Sequence, residues 1–318
     1  MVKMQKVIAF KNPNNVCYAN SVLQLLWNTN FMKEIDLHKT IIDNETFTTI
    51  DKKQTVGLEL LKCLLLARDR FYNSDSDVYL CEFNLIKFRN IVLTEFWNNR
   101  IGQQDAHEFL NNLIDHIQNI LEYFDLKIVQ KYFSAKLISC IQGKCGHTSL
   151  KKINYDYYEL FIKPNKNNDK LQTLIDNDFK NYITLTDDSA WECEECNTKV
   201  TAIKSPALIY KPPKILMICI QRFGFDRYGT KIRTTVDVDN EINITLMDDN
   251  DTVITYELCG FVTHLGLTLV AGHYIAVIKQ DDKWLVCNDT IIYVKNTFEE
   301  AKKSSGGDIY LLMYKIKE

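Results

Sequence analysis

The run NNVCYANSVLQLL, residues 14–26, places a single cysteine at the head of an apolar stretch and surrounds it with small polar residues. Val22, Leu23, Leu25 and Leu26 recur at helical intervals, so the spacing predicts a helix that opens near Cys17. A thiol in that first turn lies where the macrodipole and the free N–H groups favour negative charge. Nucleophilic and metal-binding chemistry both need the thiolate. Taken alone, the residue also fits a packed core thiol or a disulfide partner, and the choice depends on what else the chain carries.

Composition narrows the setting. The 318 residues are 46% hydrophobic and include 16 Phe and 16 Tyr against only 11 Gly and 5 Pro, which is ample material for a large core and little for a linker. A formal net charge of −3 provides no polybasic field, so a nucleic-acid partner is not expected. The opening MVKMQKVIAFKN lacks the apolar core and cleavage site of a secretory signal, and no apolar run is long enough to span a bilayer. An intracellular protein, cytoplasmic or nuclear and without a membrane partner, is expected. Ten cysteines in such a compartment read as thiols, metal ligands or catalysts before disulfides.

Along the chain, VLQLLWN, VGLELLKCLLLARDRF and DAHEFLNNLIDHIQNILEYF repeat apolar positions at three and four, so residues up to about 130 read as a helical lobe. From about 131 onward, KYFSAKLISCI, YYELFI, KILMICIQRF, YELCGFVTH and HYIAVIKQ alternate β-branched and aromatic residues with polar ones. The expected fold class is therefore α+β, helices first and strands second, without internal repeats.

The segment AGHYIAVIKQDDKWLVCNDTIIYV reads as a β-hairpin with its turn centred between Asp281 and Asp282. In that register His273 faces Thr290 and lies diagonal to Asn288 on one side of the sheet, while Asp289 points the other way. Diagonal neighbours lie about 7–8 Å apart, within reach of an imidazole and a carboxamide leaning together. Cysteine, histidine and a group that holds the second imidazole nitrogen form the constellation for thiol acyl transfer. The order Cys, His, Asn is that of papain-like enzymes, but the separation of 256 residues from Cys17 to His273 exceeds theirs, roughly 130–150.

WECEEC contains Cys193-x2-Cys196, a spacing that suits tetrahedral zinc, although one such pair is half a site and also fits a chance pair or redox dithiol. The expected partner pair is Cys140 and Cys145 in SCIQGKCGH, with His147 as a possible substitute. Four protein ligands would close the shell and make the metal structural. Cys63, Cys81, Cys219, Cys259 and Cys287 fall in apolar patterns and read as core.

These residues resemble one family. NPNNVCYANSVLQLL resembles the cysteine box of the ubiquitin-specific proteases, GQQDAHEFLNNLID their QQDA segment, and CGFVTHLGLTLVAGHYIAVI with WLVCND their histidine box. WECEEC, PPKILMICIQRFGFD and the closing DIYLLMYK follow in the same order, so the likeness covers nearly the whole chain. It implies a single catalytic domain over residues 1–318, papain-like, with a helical thumb at about 1–130, and palm and fingers at about 131–318. The fingers would span about 135–210.

The resemblance also implies roles. Cys17 is expected as nucleophile, His273 as base, Asn288 as third member, Asp289 as the second acidic residue and Asn12 as the oxyanion-stabilising side chain. Gln103, Asp105 and Glu108 are expected to bind substrate, the carboxylates pairing with arginines of the ubiquitin tail. Cys140, Cys145, Cys193 and Cys196 are expected to hold structural Zn²⁺, with no cofactor in catalysis. Asn14, Asn15 and Val16 stand where the family has Gly-Asn-Thr, so an asparagine makes the tight turn. The implied protein is a monomeric deubiquitinase that cleaves after the C-terminal glycine of ubiquitin or of a ubiquitin-like modifier.

Overall fold

The computed structural model describes residues 6–13, 15–45, 51–81, 83–100, 102–165, 168–223, 231–248, 250–268 and 271–317. The chain forms two compact units, one of residues 1–129, 219–233 and 259–313, the other of 130–218, 234–258 and 314–318.

The first unit is built around the helix Cys17–Trp27, all eleven residues of which are buried. A helix buried all round must find partners for its polar side chains internally, and this one does so in part: Gln24 Oε1 and Trp27 Nε1 have none among the described residues. Gln24 donates to the carbonyl of Ile8 at 2.8 Å, Ser21 to that of Tyr18 at 2.9 Å, and Asn20 to Asp289 at 2.8 Å. The small polar residues around Cys17 are thus the ties of a core helix to its neighbours. The helix stops at Asn28, and Thr29 begins the next one, Asn30–Leu37, by accepting from the Met32 amide at 3.3 Å.

The long helices Lys52–Asn73 and Ala106–Tyr123 pack on each other, and the second also packs on Cys17–Trp27. Asp51 and Gln54 form a capping box at the start of Lys52–Asn73. Asp105 caps Ala106–Tyr123 by accepting from the Glu108 amide at 2.8 Å. Strands Ile291–Lys295, Lys283–Asn288, Ala271–Gln280 and the 259–268 end of Val253–Thr268 follow in that order, antiparallel, and Ala271–Gln280 lies against Cys17–Trp27. Ala276 opposes Cys287 and Gln280 opposes Lys283, the register expected from the turn centre.

In the second unit the strand Ala135–Gly143 pairs with Thr148–Tyr155 on one side and with Leu208–Lys211 and Ala202–Lys204 on the other, and Ile183–Leu185 extends the sheet. Trp191–Cys193 and Thr198–Val200 form a short hairpin.

Each of the two expected segments also contains elements of the other kind. The hairpin that carries His273 clusters with the helices, because the helix Cys17–Trp27 needs that strand to cover it. Val7–Phe10 and Val78–Cys81 form a parallel pair inside the expected helical segment. VIAF is apolar throughout and buried throughout, and such a run carries no period from which to read a strand. Helices Leu171–Phe179 and Phe298–Ser305 interrupt the expected sheet region. The second was legible: Thr297 and Glu300 form a capping box and Gly306 ends the helix at φ 67°. Cys63, Cys219 and Cys287 are buried, whereas Cys259 is half-buried and the side chain of Cys81 lies outside the described residues. No helix among the described residues is long and apolar enough to cross a membrane.

Candidate active site

Cys17 is the first residue of its helix and is 1% exposed. The turn before it is made by Asn15 at φ 62°, a left-handed conformation that asparagine tolerates better than most residues; Asn14 lies outside the described residues. No side chain caps the helix at Val16, so its N-terminal field acts on the thiol. Burial pushes the Cys17 thiol up, but hydrogen bonds from His273, the Tyr274 backbone and Gln103 outweigh it and hold the group below its ordinary value.

His273 lies on the strand Ala271–Gln280, and its Nε2 is 2.7 Å from Oδ1 of Asn288, the last residue of the neighbouring strand. That bond occupies Nε2 and leaves Nδ1 as the nitrogen available to a thiol. The hydrogen bond with Cys17 lifts the imidazole to about 9 against the effect of burial, and the bond to Asn288 and the charge of Asp289 add to the rise. Both shifts have the sign of a thiolate–imidazolium pair at neutral pH. Such a pair persists above the lowered thiol value and is lost as pH rises through about 9. Alkylation of Cys17 by iodoacetamide, followed by mass spectrometry, is therefore expected to stay fast at pH 6–7. In His273→Ala its midpoint should rise to the ordinary thiol range, about 8.5. A slow wild-type reaction at pH 6 would contradict the pair.

Asp289 corrects an expectation. It does not point away from His273: the strand ends at Asn288, Asp289 takes φ 53°, and its carboxylate turns back to 3.8 Å from His273 Nε2. Its two oxygens accept from Asn12 Nδ2 and Asn20 Nδ2, each at 2.8 Å. Asn12 is held at its other end as well, because its Oδ1 accepts from the Val16 amide at 2.7 Å. An amide fixed at both ends is a preorganised donor, and its second N–H has no partner among the described residues. Asn20 was missed from the sequence, although its place three residues after Cys17 puts it on the same helix face.

The three residues expected to bind substrate take different positions. Gln103 donates to the Cys17 sulfur at 3.4 Å, and its carboxamide both donates to and accepts from the backbone of Gly272. Asp105 is 8% exposed and fully engaged: one oxygen caps the helix, and the other accepts from Tyr310 at 2.8 Å and Tyr274 at 3.4 Å. Glu108, one turn on, is exposed. Partial burial and the Asp105 carboxylate raise its carboxyl above the usual range.

A second cluster lies in the other unit. Ligand atoms of Cys145, His147, Cys193 and Cys196 all fall within 4.8 Å of one another, with His147 Nδ1 at 3.1 Å from Cys196 Sγ and 3.6 Å from Cys193 Sγ. These four residues could hold a metal ion. Cys140 does not join them, and His147 stands in its place. Cys140 sits within the regular ladder opposite Leu150, with its backbone bonded to Ser205, and the strand runs on to Gly143 before the turn that presents Cys145 and His147. At about 3.3 Å per residue the ladder leaves Cys140 roughly 10 Å short of that turn.

A cysteine at a helix start, with a histidine on the strand packed against that helix whose Nε2 meets a carboxamide, is the arrangement of thiol hydrolases. The family model for ubiquitin carboxyl-terminal hydrolase matches residues 8–314, and the chain belongs to that family. Ubiquitin carboxyl-terminal hydrolase 25 of Arabidopsis thaliana is 26% identical over 313 residues, a match covering 92% of this chain and 45% of the relative. Ubiquitin carboxyl-terminal hydrolase 12 of Salmo salar is 26% identical over 351 residues, covering 96% and 89%. The chain thus spans under half the length of the first and most of the second. Among solved structures, the SAGA Ubp8/Sgf11/Sus1/Sgf73 DUB module bound to ubiquitin aldehyde has a chain that superposes with a TM-score of 0.76 at 24% identity. The match covers 100% of this chain and 71% of that one, a likeness of fold.

Proposed function

We propose that the chain is a thiol deubiquitinase that hydrolyses the bond after the C-terminal glycine of ubiquitin, with Cys17, His273 and Asn288 as its catalytic residues. The observation that carries this reading is the 2.7 Å contact to Asn288 from Nε2 of His273, on a strand that packs against the helix opened by Cys17. The Cys17 thiolate attacks the glycine carbonyl, and negative charge develops on its oxygen. Asn12 donates its remaining N–H to that charge, with Asp289 and the Val16 amide preventing the side chain from turning away. The His273 imidazolium gives its proton to the departing amine, leaving a thioester on Cys17. His273 then takes a proton from water, and the hydroxide so formed attacks the thioester. The carboxylate of ubiquitin leaves, and the thiol regains the proton. Glu108 is the exposed carboxylate for an arginine of the ubiquitin tail, while Asp105, its oxygens bonded to the Glu108 amide and to Tyr274 and Tyr310, orders the helix start that presents Glu108.

Ubiquitin carrying a C-terminal electrophile tests this reading. Mass spectrometry is expected to find one adduct, on Cys17; an adduct elsewhere or none would reject it.

The second cluster fits zinc. Three sulfurs and one imidazole are a preferred zinc donor set, and a tetrahedral ion with bonds of about 2.0–2.3 Å separates its ligands by roughly 3.3–3.8 Å. Cys145, His147, Cys193 and Cys196 would hold Zn²⁺, which would tie the turn 143–147 to the hairpin Trp191–Val200 and take no part in catalysis. Elemental analysis is expected to give one zinc per chain, unchanged in Cys140→Ser and lost in Cys193→Ser, with a chelator lowering Tm. Equal zinc loss in both variants would restore Cys140 as a ligand.

A further inference from the structure

A buried lysine lies behind the histidine strand. The Lys231 side chain is 1% exposed, and its ammonium donates to the carbonyl of His264 at 2.5 Å and of Gly266 at 3.3 Å and pairs with Asp308 at 2.9 Å. Three acceptors meet its three N–H groups, so the cation is satisfied without water. Its place follows from the sheet. Strands Val253–Thr268 and Asp308–Ile316 pair with Tyr256 opposite Ile316 and Leu258 opposite Tyr314. Continued, that register would set His264 opposite Asp308, and Lys231 bridges these two residues. Lys231 itself is held by an antiparallel bridge to Phe223 and by Arg222, which donates to the carbonyls of Ile232 and Ile309.

The other edge of the same strand end carries the site. Leu265, between the two carbonyls that Lys231 binds, is the register partner of His273, and His264 is the partner of Tyr274. Behind them the His264 ring stands against Gly272, where an added Cβ would lie 2.3 Å from its Nε2. The backbone of His273 is thus set by residues 264–266, whose outer side has Lys231 as its tie.

We propose that Lys231 is a positioning residue that, with Asp308, clamps residues 264–266 and through them sets His273 against Cys17. This depends on the reading of Cys17 and His273 as nucleophile and base. The charged and titratable groups that face Lys231 are Asp308, Arg222, Arg233 and His264, and removing the cation also changes the field they share. Removal of the anion at Asp308 changes that field in the opposite sense but loosens the same tie. The pair of variants therefore separates geometry from charge.

The test uses the full chain with Lys231→Met and Asp308→Asn. Cys17 alkylation by iodoacetamide is followed from pH 5 to 10, and kcat and KM are taken with a fluorogenic ubiquitin C-terminal substrate. Both variants are expected to move the alkylation midpoint upward, Lys231→Met more, with kcat about 10- to 100-fold lower and KM within about twofold. Opposite shifts would reduce the effect to a field, and unchanged profiles with a lower Tm would reduce Lys231 to structural support; either overturns the proposal. Should Lys231→Met fail to fold, Asp308→Asn decides alone: an upward shift supports the clamp, and a downward or absent shift overturns it. Ordinary thiol behaviour in the wild type would overturn the Cys17–His273 reading itself, a different result from any of these.

Discussion

Cys17→Ala is expected to lower turnover of a ubiquitin C-terminal substrate by on the order of 10⁵- to 10⁶-fold while leaving ubiquitin affinity within about twofold. No other nucleophile is poised to replace it. Cys287, the cysteine next to Asn288, is buried within its strand, and burial pushes its thiol far up. The affinity should survive because the substitution removes one sulfur and alters no cap, turn or strand pairing. Asn12, Asn20 and Asp289 bond to one another independently of it. Binding by isothermal titration and turnover by fluorescence separate the two effects. If affinity fell in step with turnover, Cys17 would be a folding residue and the catalytic assignment would go with it.

The second large effect concerns the two adjacent residues that could orient His273. Asn288→Ala should reduce kcat by roughly 10²- to 10⁴-fold, because it frees Nε2 and with it the tautomer and direction of the ring. Asp289→Ala should cost less, about 10- to 100-fold, by another route: at 3.8 Å it is a neighbouring charge for His273, whereas it is a direct partner of Asn12 and Asn20. The pH profile of Cys17 alkylation should follow the same division, moving strongly in Asn288→Ala and little in Asp289→Ala. The reverse ranking in kcat would make Asp289 the orienting group and Asn288 a strand-end residue.

Lys231 and Asp105 show where sequence reasoning stops. Asp105 has the same composition and spacing whether it pairs with an arginine of a substrate or caps a helix, and only the tyrosine hydroxyls of residues 274 and 310 decide that its oxygens are taken. No local pattern marks Lys231, because its acceptors come from residues more than thirty positions away. Asp289 was legible as a residue and not as a direction. A strict alternation carries its side chain away from His273, and the left-handed φ of 53° that ends the strand brings it back. Cys140 stands outside the cysteine cluster for a related reason: ligand spacing in sequence assumes a free loop, and the ladder to Thr148–Tyr155 holds Cys140 straight.

From the sequence by itself came the helix at Cys17, the hairpin and its register, and the association of Cys17, His273 and Asn288, since these depend on periodicity, turn residues and spacing along one chain. The tertiary structure alone decided the rest: that the histidine hairpin belongs to the helical unit, that His147 and not Cys140 lies among the clustered cysteines, that Asp289 secures Asn12, and that a buried ammonium backs the histidine strand. The physical reason is the same in each case. Periodicity records which face of an element is buried, while the partner that satisfies a buried charge or amide is chosen by whichever distant segment reaches it once the core has closed.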